Sequence, residues 1–363
     1  MAGKLRVAIL FGGASSEHSI SCATASGVLS AIDRNKYDVL PIGITRDGVF
    51  VPAVDDVAKW ALTDGELPTV EFEGNTILWP SAGSREISFQ DAAGTKHSLG
   101  NVDVVFPVLH GANGEDGTMQ GFLELIALPY VGNGVFASAA GIDKEFSKAL
   151  FLAAGVPVTP HVVIHKNAWL ADPESALEAV RALGQAPYFV KPARAGSSVG
   201  VSKVNHMDSF AAALATAFEH DSKVTVECQL IGREVECAVL SGRDGAAPRV
   251  SVAGEIIVRT REFYDFEAKY RDADAAELVC PADLTPAQLD EMQQIAKRAF
   301  NALGCYGLGR VDFFLTADGF FVNEINTMPG FTPISMYPKC WQASGLAYKD
   351  LIDELIALAL ERG

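Results

Sequence analysis

Apolar runs broken by glycine and polar turns set the texture of the first part of the chain: Val7 to Phe11, Val39 to Ile44 and VDVVFPVL over 102–109. Such runs, with little polar alternation, suit strands of a parallel sheet covered on both faces. Gly-Gly closes the first run, and SSEHSISCATASGVLSAI then carries small and apolar residues at helical spacing, which predicts a strand, a tight turn and a helix. Residues 51–100 are polar and turn-rich around two short strands. A helix over 118–127 and a strand over 129–131 complete an α/β N-terminal domain assigned to residues 1–140.

The pattern then changes. Asp143 caps a helix ending before Gly155, and Asp172-Pro173 begins another that stops at Gly184, with VPVTP between them. YFVKPA, VGVSKV, VTVECQL and REVECAVL read as strands around a helix over 208–218, giving an α+β lobe over 141–240. The third lobe, 241–363, holds a strand over 254–258 and the polar, aromatic stretch REFYDFEAKYRD. It also holds a long helix with Thr285 as cap, Pro286 in the first turn and Gln288 closing a capping box. Leu289, Met292, Ala296, Ala299, Phe300 and Leu303 share one face of that helix, before Gly304.

Composition narrows the class. With 363 residues, 49% of them apolar and 20% charged, the chain is a globular protein of two or three domains, not a disordered or fibrous one. A net charge of −16 and the lack of any basic run argue against a nucleic-acid partner. No run approaches the roughly 18 apolar residues of a membrane span, and Val7 to Phe11 is too short for a secretory leader. Six cysteines without a CxxC pair fit reduced thiols and a cytoplasmic location.

The segment richest in chemistry is GLGRVDFFLTADGFFVNEINTMPGF, residues 307–331. Two strand-like runs flank Asp-Gly, which predicts a hairpin. With a three-residue loop of Ala317, Asp318 and Gly319, Thr316 faces Phe320, Asp312 faces Glu324 and Arg310 faces Asn326, all four polar side chains on one face. A two-residue turn would shift the register by one and separate the carboxylates. Carboxylates and an amide oxygen held this close suit a hard cation such as Mg²⁺ bearing nucleotide phosphates. The plainer reading is a solvated face with an Arg–Asp pair.

FVKPARAGSSVGVSKV, residues 189–204, ends a strand at Lys191 and offers a small-residue loop, Gly196 to Gly200, able to close over phosphate oxygens. It is not a Walker A loop, and a ligand-free Gly/Ser turn is the alternative. FGGASSEH (11–18) and LHGANGEDGT (109–118) follow parallel strands at their C-terminal ends, where open α/β sheets bind ligands. Glu17 there could meet a substrate ammonium group, and His110 is either a ligand contact or a hydrogen-bonded loop histidine. REFYDFEAKYRD reads as a lid or as an exposed amphipathic helix.

FGGASSEHSIS, HGANGEDGTMQG, FVKPARAGSSVGVSKV, REVECAVL, FYDFEAKY and RVDFFL with NEINTMPGFTPISMYP, in this order and spacing, resemble the D-alanine–D-alanine ligases of the ATP-grasp superfamily from Phe11 to about Glu361. The resemblance implies a three-lobed ATP-grasp fold, α/β and α+β, with an N-terminal parallel-sheet domain and a lid at about 259–280. It implies ATP-dependent joining of two D-alanines through an acyl phosphate, for peptidoglycan precursors. Lys144, Lys191 and Lys269 would bind ATP phosphates under the loop carrying Gly196 and Ser198. Glu227 and Leu230 would read adenine, and Glu234 would hold the ribose. Asp312, Glu324 and Asn326 would carry a pair of Mg²⁺ ions, with Mn²⁺ as the alternative. Arg310 and Gly330 would face the oxyanion. Glu17 and His110 would meet the first substrate, with Glu17, Ser197 and Tyr270 closing the lid, while Ser335 and Met336 would meet the second. The intact Lys269-Tyr270 pair favours an amine as second substrate, and the likeness implies a homodimer.

Overall fold

The computed structural model describes residues 3–63, 67–81, 83–258 and 276–362. The first strands are β1 (Leu5–Gly12), β2 (Tyr37–Ile44) and β3 (Phe50–Pro52), followed by β4 (Thr76–Leu78), β5 (Glu86–Gln90), β6 (Lys96–Asn101) and β7 (Val104–Pro107). β1 lies between β2 and β7, parallel to both, and β3 adds an antiparallel edge to β2. Val7, Ile9 and Phe11 point into one core and Ala8 and Leu10 into another, so β1 is buried on both faces as its apolar run requires. The turn-rich region 51–100 holds more strand than the two short ones expected, with β4, β5 and β6 forming their own antiparallel sheet.

The central sheet consists of β8 (His161–His165), β9 (Tyr188–Pro192), β10 (Ser202–Val204) and β11 (Lys223–Cys228), in the order β10-β9-β11-β8. β12 (Arg233–Leu240), which the sequence groups with these strands, hydrogen-bonds instead to β13 (Arg249–Val258) and β15 (Leu308–Thr316). It is the middle strand of a third sheet, β14-β13-β12-β15-β16, completed by β14 (Ala276–Val279) and β16 (Gly319–Asn326). The long helix Pro286–Ala302 covers one face of that sheet, with the expected capping box at Thr285 and Gln288. The helices Met336–Ala343 and Tyr348–Arg362 bury their other side against the first sheet, so Val7, Phe106, Leu351 and Leu355 share one core. Among the described residues no helix is long and apolar enough to cross a membrane.

The β15–β16 hairpin pairs Arg310 with Asn326 and Asp312 with Glu324, then shifts, so that Phe313 faces Val322 and Thr316 faces Gly319. The three-residue loop expected from the sequence is not what forms. Only Ala317 and Asp318 lie outside the pairing, and Gly319, at φ +105°, takes the left-handed conformation. That turn alone would displace every later pair by one. An extra, unpaired residue, Asn323, restores the expected register at the polar end. The cause lies in the core: Val322 and Ile325 are both buried although three positions apart, and a strand of period two can bury both only by bulging between them.

Candidate active site

The polar face of the hairpin is where expectation and structure meet most closely. Arg310 donates from Nε to Asp312 Oδ1 and from Nη2 to Asp312 Oδ2, each at 2.7 Å, and its Nε also lies 2.7 Å from Glu236 Oε2. Asn326 donates its amide to Asp312 Oδ2 at 2.9 Å. Lys144 Nζ stands 3.4 Å from Glu324 Oε2 and donates to the Ala195 carbonyl at 3.0 Å, tying this face to the Gly196 loop. The Arg–Asp pair of the plainer reading therefore exists, yet it is largely buried and sits beside further charges rather than in solvent. Burial alone would lower the Arg310 guanidinium, and Asp312 and Glu236 outweigh it to hold the group well above the ordinary arginine value. Among the described residues no group of three or more His, Cys, Asp or Glu side chains gathers for a metal. The candidate donor set here is two carboxylates and an amide.

Next to this face is a second charged group. Lys191, on β9, donates to Glu227 Oε2 at 2.8 Å and to Asn323 Oδ1 at 3.3 Å. Lys148, one turn beyond Lys144 on the helix Lys144–Ala153, lies 3.2 Å from Glu227 Oε1 and donates to the Asn323 carbonyl at 3.2 Å. Burial would raise the Glu227 carboxyl, but the two lysines outweigh it and hold it at about 2. Burial would lower Lys191, yet Glu227, Glu324 and Glu234 together keep it above the ordinary lysine value. Glu227 Oε1, though within ionic range of Lys148, has no hydrogen-bond donor aligned on it. Leu230 lies in the connection from β11 to β12, and Glu234 is on β12, near enough to Lys191 for its charge to favour the ammonium form.

A third group, around Glu17, is built from loops. Glu17 precedes the helix His18–Ala31, is buried, and accepts a 2.5 Å hydrogen bond from Ser197 Oγ. Ser197 and Ser198 hold positive φ values of 50° and 59°, an uncommon backbone for residues with a side chain, consistent with a loop shaped for its contacts. Arg194 anchors the start of that loop, donating from Nε and its backbone N–H to Asp221. Gly111 approaches so closely that a Cβ there would lie 3.0 Å from Glu17 Oε2. Three loops thus converge on one carboxylate. His110 Nε2 lies 3.1 Å from Thr24 Oγ1, whose own hydrogen goes to the Ile20 carbonyl, so the ring nitrogen is the donor. His110 therefore stands beside the convergence point with Thr24 on one ring nitrogen and Glu115 Oε1 3.9 Å from the other.

Ser335 immediately precedes the helix Met336–Ala343 without a side-chain capping bond, its Oγ 2.7 Å from Thr332 Oγ1, and Gly330 passes close enough that a Cβ would meet that Oγ at 3.2 Å. The Met336 side chain is core, packed on Gly254. Lys269 and Tyr270, with residues 259–275 of the expected lid, lie outside the described residues, whereas the last part of that span is β14, Ala276–Val279, paired with β13. Sequence reasoning missed Lys148, Asn323 and Glu236. Lys148 was legible as the i+4 partner of Lys144 on one helix face, and Asn323 as half of a polar pair interrupting strand alternation.

Two family models match the chain: D-ala D-ala ligase N-terminus over residues 6–133 and D-ala D-ala ligase C-terminus over residues 150–357. The D-alanine–D-alanine ligase of Arthrobacter sp. (strain FB24) is 53% identical, with 99% of this chain and 95% of the relative aligned. That of Streptomyces avermitilis is 52% identical, with 99% and 95% aligned. Among solved structures, the VanG D-Ala:D-Ser ligase from Enterococcus faecalis superposes with a TM-score of 0.83 at 35% identity, covering 98% of this chain and 100% of that one. The D-alanine-D-alanine ligase from Coxiella burnetii gives 0.82 at 34% identity, covering 99% and 95%.

Proposed function

The chain belongs to the D-alanine–D-alanine ligase family, and from that premise we propose that it joins two D-alanines at the expense of ATP, supplying a dipeptide for peptidoglycan precursors. The observation that carries this reading is the pairing of Asp312 with Glu324 across the hairpin, within reach of Lys144 and beside Lys191.

In this reading the carboxylate of the first D-alanine attacks the γ-phosphorus of ATP, and ADP leaves behind an acyl phosphate. The amine of the second D-alanine attacks the acyl carbon, loses a proton, and inorganic phosphate departs. Lys144 and Lys191 neutralise the phosphates while Gly196 and Ser198 close over them. Glu17, oriented by Ser197, receives the first ammonium group beside His110, and Ser335 with the backbone at Met336 receives the second carboxylate. Arg310 and the Gly330 N–H face the oxyanion of the second step, each worth about 3 kcal/mol by the magnitude of other oxyanion donors. Lys269 and Tyr270 belong to the lid, which must exclude water from an acyl phosphate. Leu230 and Glu227 meet the base, and Glu234 the ribose.

The site also fits divalent ions. Asp312, Glu324 and Asn326 offer hard oxygens on a rigid strand pair, and the positive charges now on them, Arg310 and Lys144, mark a place where negative charge needs compensation. Mg²⁺, or Mn²⁺ in its place, would supply charge neutralisation for the transferring phosphoryl group. We propose a cytoplasmic homodimer; six free cysteines support a reducing compartment, and sedimentation velocity reads the assembly.

The test is turnover with Mg-ATP. ADP formation strictly dependent on D-alanine, with one D-alanyl-D-alanine per ADP by mass spectrometry, is expected. ADP formation indifferent to D-alanine, or a preference for D-lactate or D-serine as acceptor, would overturn the assignment. A protein that only binds nucleotide would give neither product.

A further inference from the structure

Lys148 is a buried charge to which the reading above gives no task. It is wholly inaccessible to solvent, and a lysine is almost never so buried unless paired. Its partners are the Asn323 carbonyl and Glu227 Oε1, each at 3.2 Å, while Lys191 takes Glu227 Oε2 at 2.8 Å. One carboxylate is thus shared between two cations. Phosphate binding by Lys191 would draw that lysine off Glu227, and a buried carboxylate that loses its only partner becomes a strongly unfavourable charge. Lys148 is the partner that stays. Its helix holds it, and the bulge that turns the Asn323 carbonyl toward it holds its ammonium group.

We propose that Lys148 is a positioning residue that keeps Glu227 an ionised, fixed acceptor after Lys191 turns to the phosphates, and that it thereby makes the site select a 6-amino purine over a 6-oxo purine. The inference rests on the reading of Glu227 as the group facing the base. An ionised carboxylate accepts from the exocyclic amino group of adenine and repels the carbonyl oxygen at the same place on hypoxanthine. Deprived of its cation, the buried carboxyl is most stable protonated, and a protonated carboxyl donates to a 6-oxo group as readily as it accepts from an amino group. Oε2, which Lys191 holds at 2.8 Å and would vacate, is the acceptor left for that amino hydrogen, while Lys148 remains on Oε1.

The test is calorimetric binding of Mg-ADP and Mg-IDP to the full chain, with kcat and the D-alanine KM measured alongside. The wild type should prefer ADP, and Lys148→Met should cut that preference by about tenfold or more, with the D-alanine KM within about twofold of wild type. Lys148→Gln keeps an amide to bond Asn323 and loses only the charge; it should show the same loss, and it stands in should the methionine variant not fold. In a Glu227→Gln background, where no charge remains to hold, removing the Lys148 charge should leave the ratio within about twofold. A wild-type ratio in both Lys148 variants, or an equal shift in the Glu227→Gln background, overturns the proposal alone. Wild-type protein that binds neither nucleotide overturns the parent reading and this inference with it.

Discussion

In the cleft between the second and third sheets, Lys144, Lys148, Lys191 and Arg310 each rest on a carboxylate, whereas at the ends of β1 and β7 Glu17 is met by the hydroxyl of Ser197 and the approach of Gly111. The first region stands on strands and one helix; the Glu17 corner stands on three loops. Under the proposed function, the contrast follows from what each place would handle. A triphosphate and its metal ions bring large opposite charges, and a site that already holds paired charges can accept them by exchanging partners, without opening bare charges to a low-dielectric interior. A single ammonium group needs one carboxylate in one orientation, which hydroxyl and backbone contacts supply.

If that contrast is right, the largest effect belongs to the cleft. Glu324→Gln should lower turnover on the order of a hundredfold to a thousandfold, since a charged donor at the phosphoryl site is lost, while the circular dichroism spectrum stays native. Near-normal turnover would remove the hairpin face from the chemistry. Lys191→Met should raise the ATP KM roughly 10- to 100-fold with a smaller change for D-alanine. Ser197→Ala should do the reverse, raising the D-alanine KM up to about tenfold and leaving ADP binding intact; equal effects of the two variants on both substrates would erase the distinction between the regions.

A smaller effect separates them by pH. Glu227 is held at about 2 in the folded protein, below the 4.5 of an ordinary glutamate. Its folded value is depressed, so its contribution to stability is full above pH 4.5 and is lost as pH falls toward 2. Urea midpoints measured from pH 5 to pH 2.5 should therefore fall less steeply for Glu227→Gln than for wild type. The smallest effect lies outside both regions. Thr285→Ala removes the capping hydroxyl of the helix Pro286–Ala302 and should cost about 1 kcal/mol of stability with unchanged kinetics.

Much of this was readable from the residues because the patterns there answer to local rules. The apolar run of β1, the capping box at Thr285 and the small-residue turn after Lys191 each depend on a few neighbours. The hairpin is more instructive. The pairing of Asp312 with Glu324 was expected from a three-residue loop, and it arises instead from a two-residue turn offset by the Asn323 bulge. The spacing of Val322 and Ile325, both buried, carried that signal. The place of β12 was not legible, because REVECAVL suits either sheet and only its neighbours β13 and β15 decide. Lys148 was overlooked for a related reason: a lysine in sequence looks like surface, and its burial depends on Glu227, 79 positions away in the chain by the numbering of the two residues.

The most direct test of the partner exchange is a crystal structure of the full chain with Mn²⁺ and ADP, read by anomalous scattering. The account predicts metal density bounded by Asp312, Glu324 and Asn326, Lys144 withdrawn from Glu324, Lys191 on phosphate oxygen, and Lys148 still on Glu227. Metal density elsewhere, or Lys191 still bound to Glu227 with nucleotide present, would contradict it.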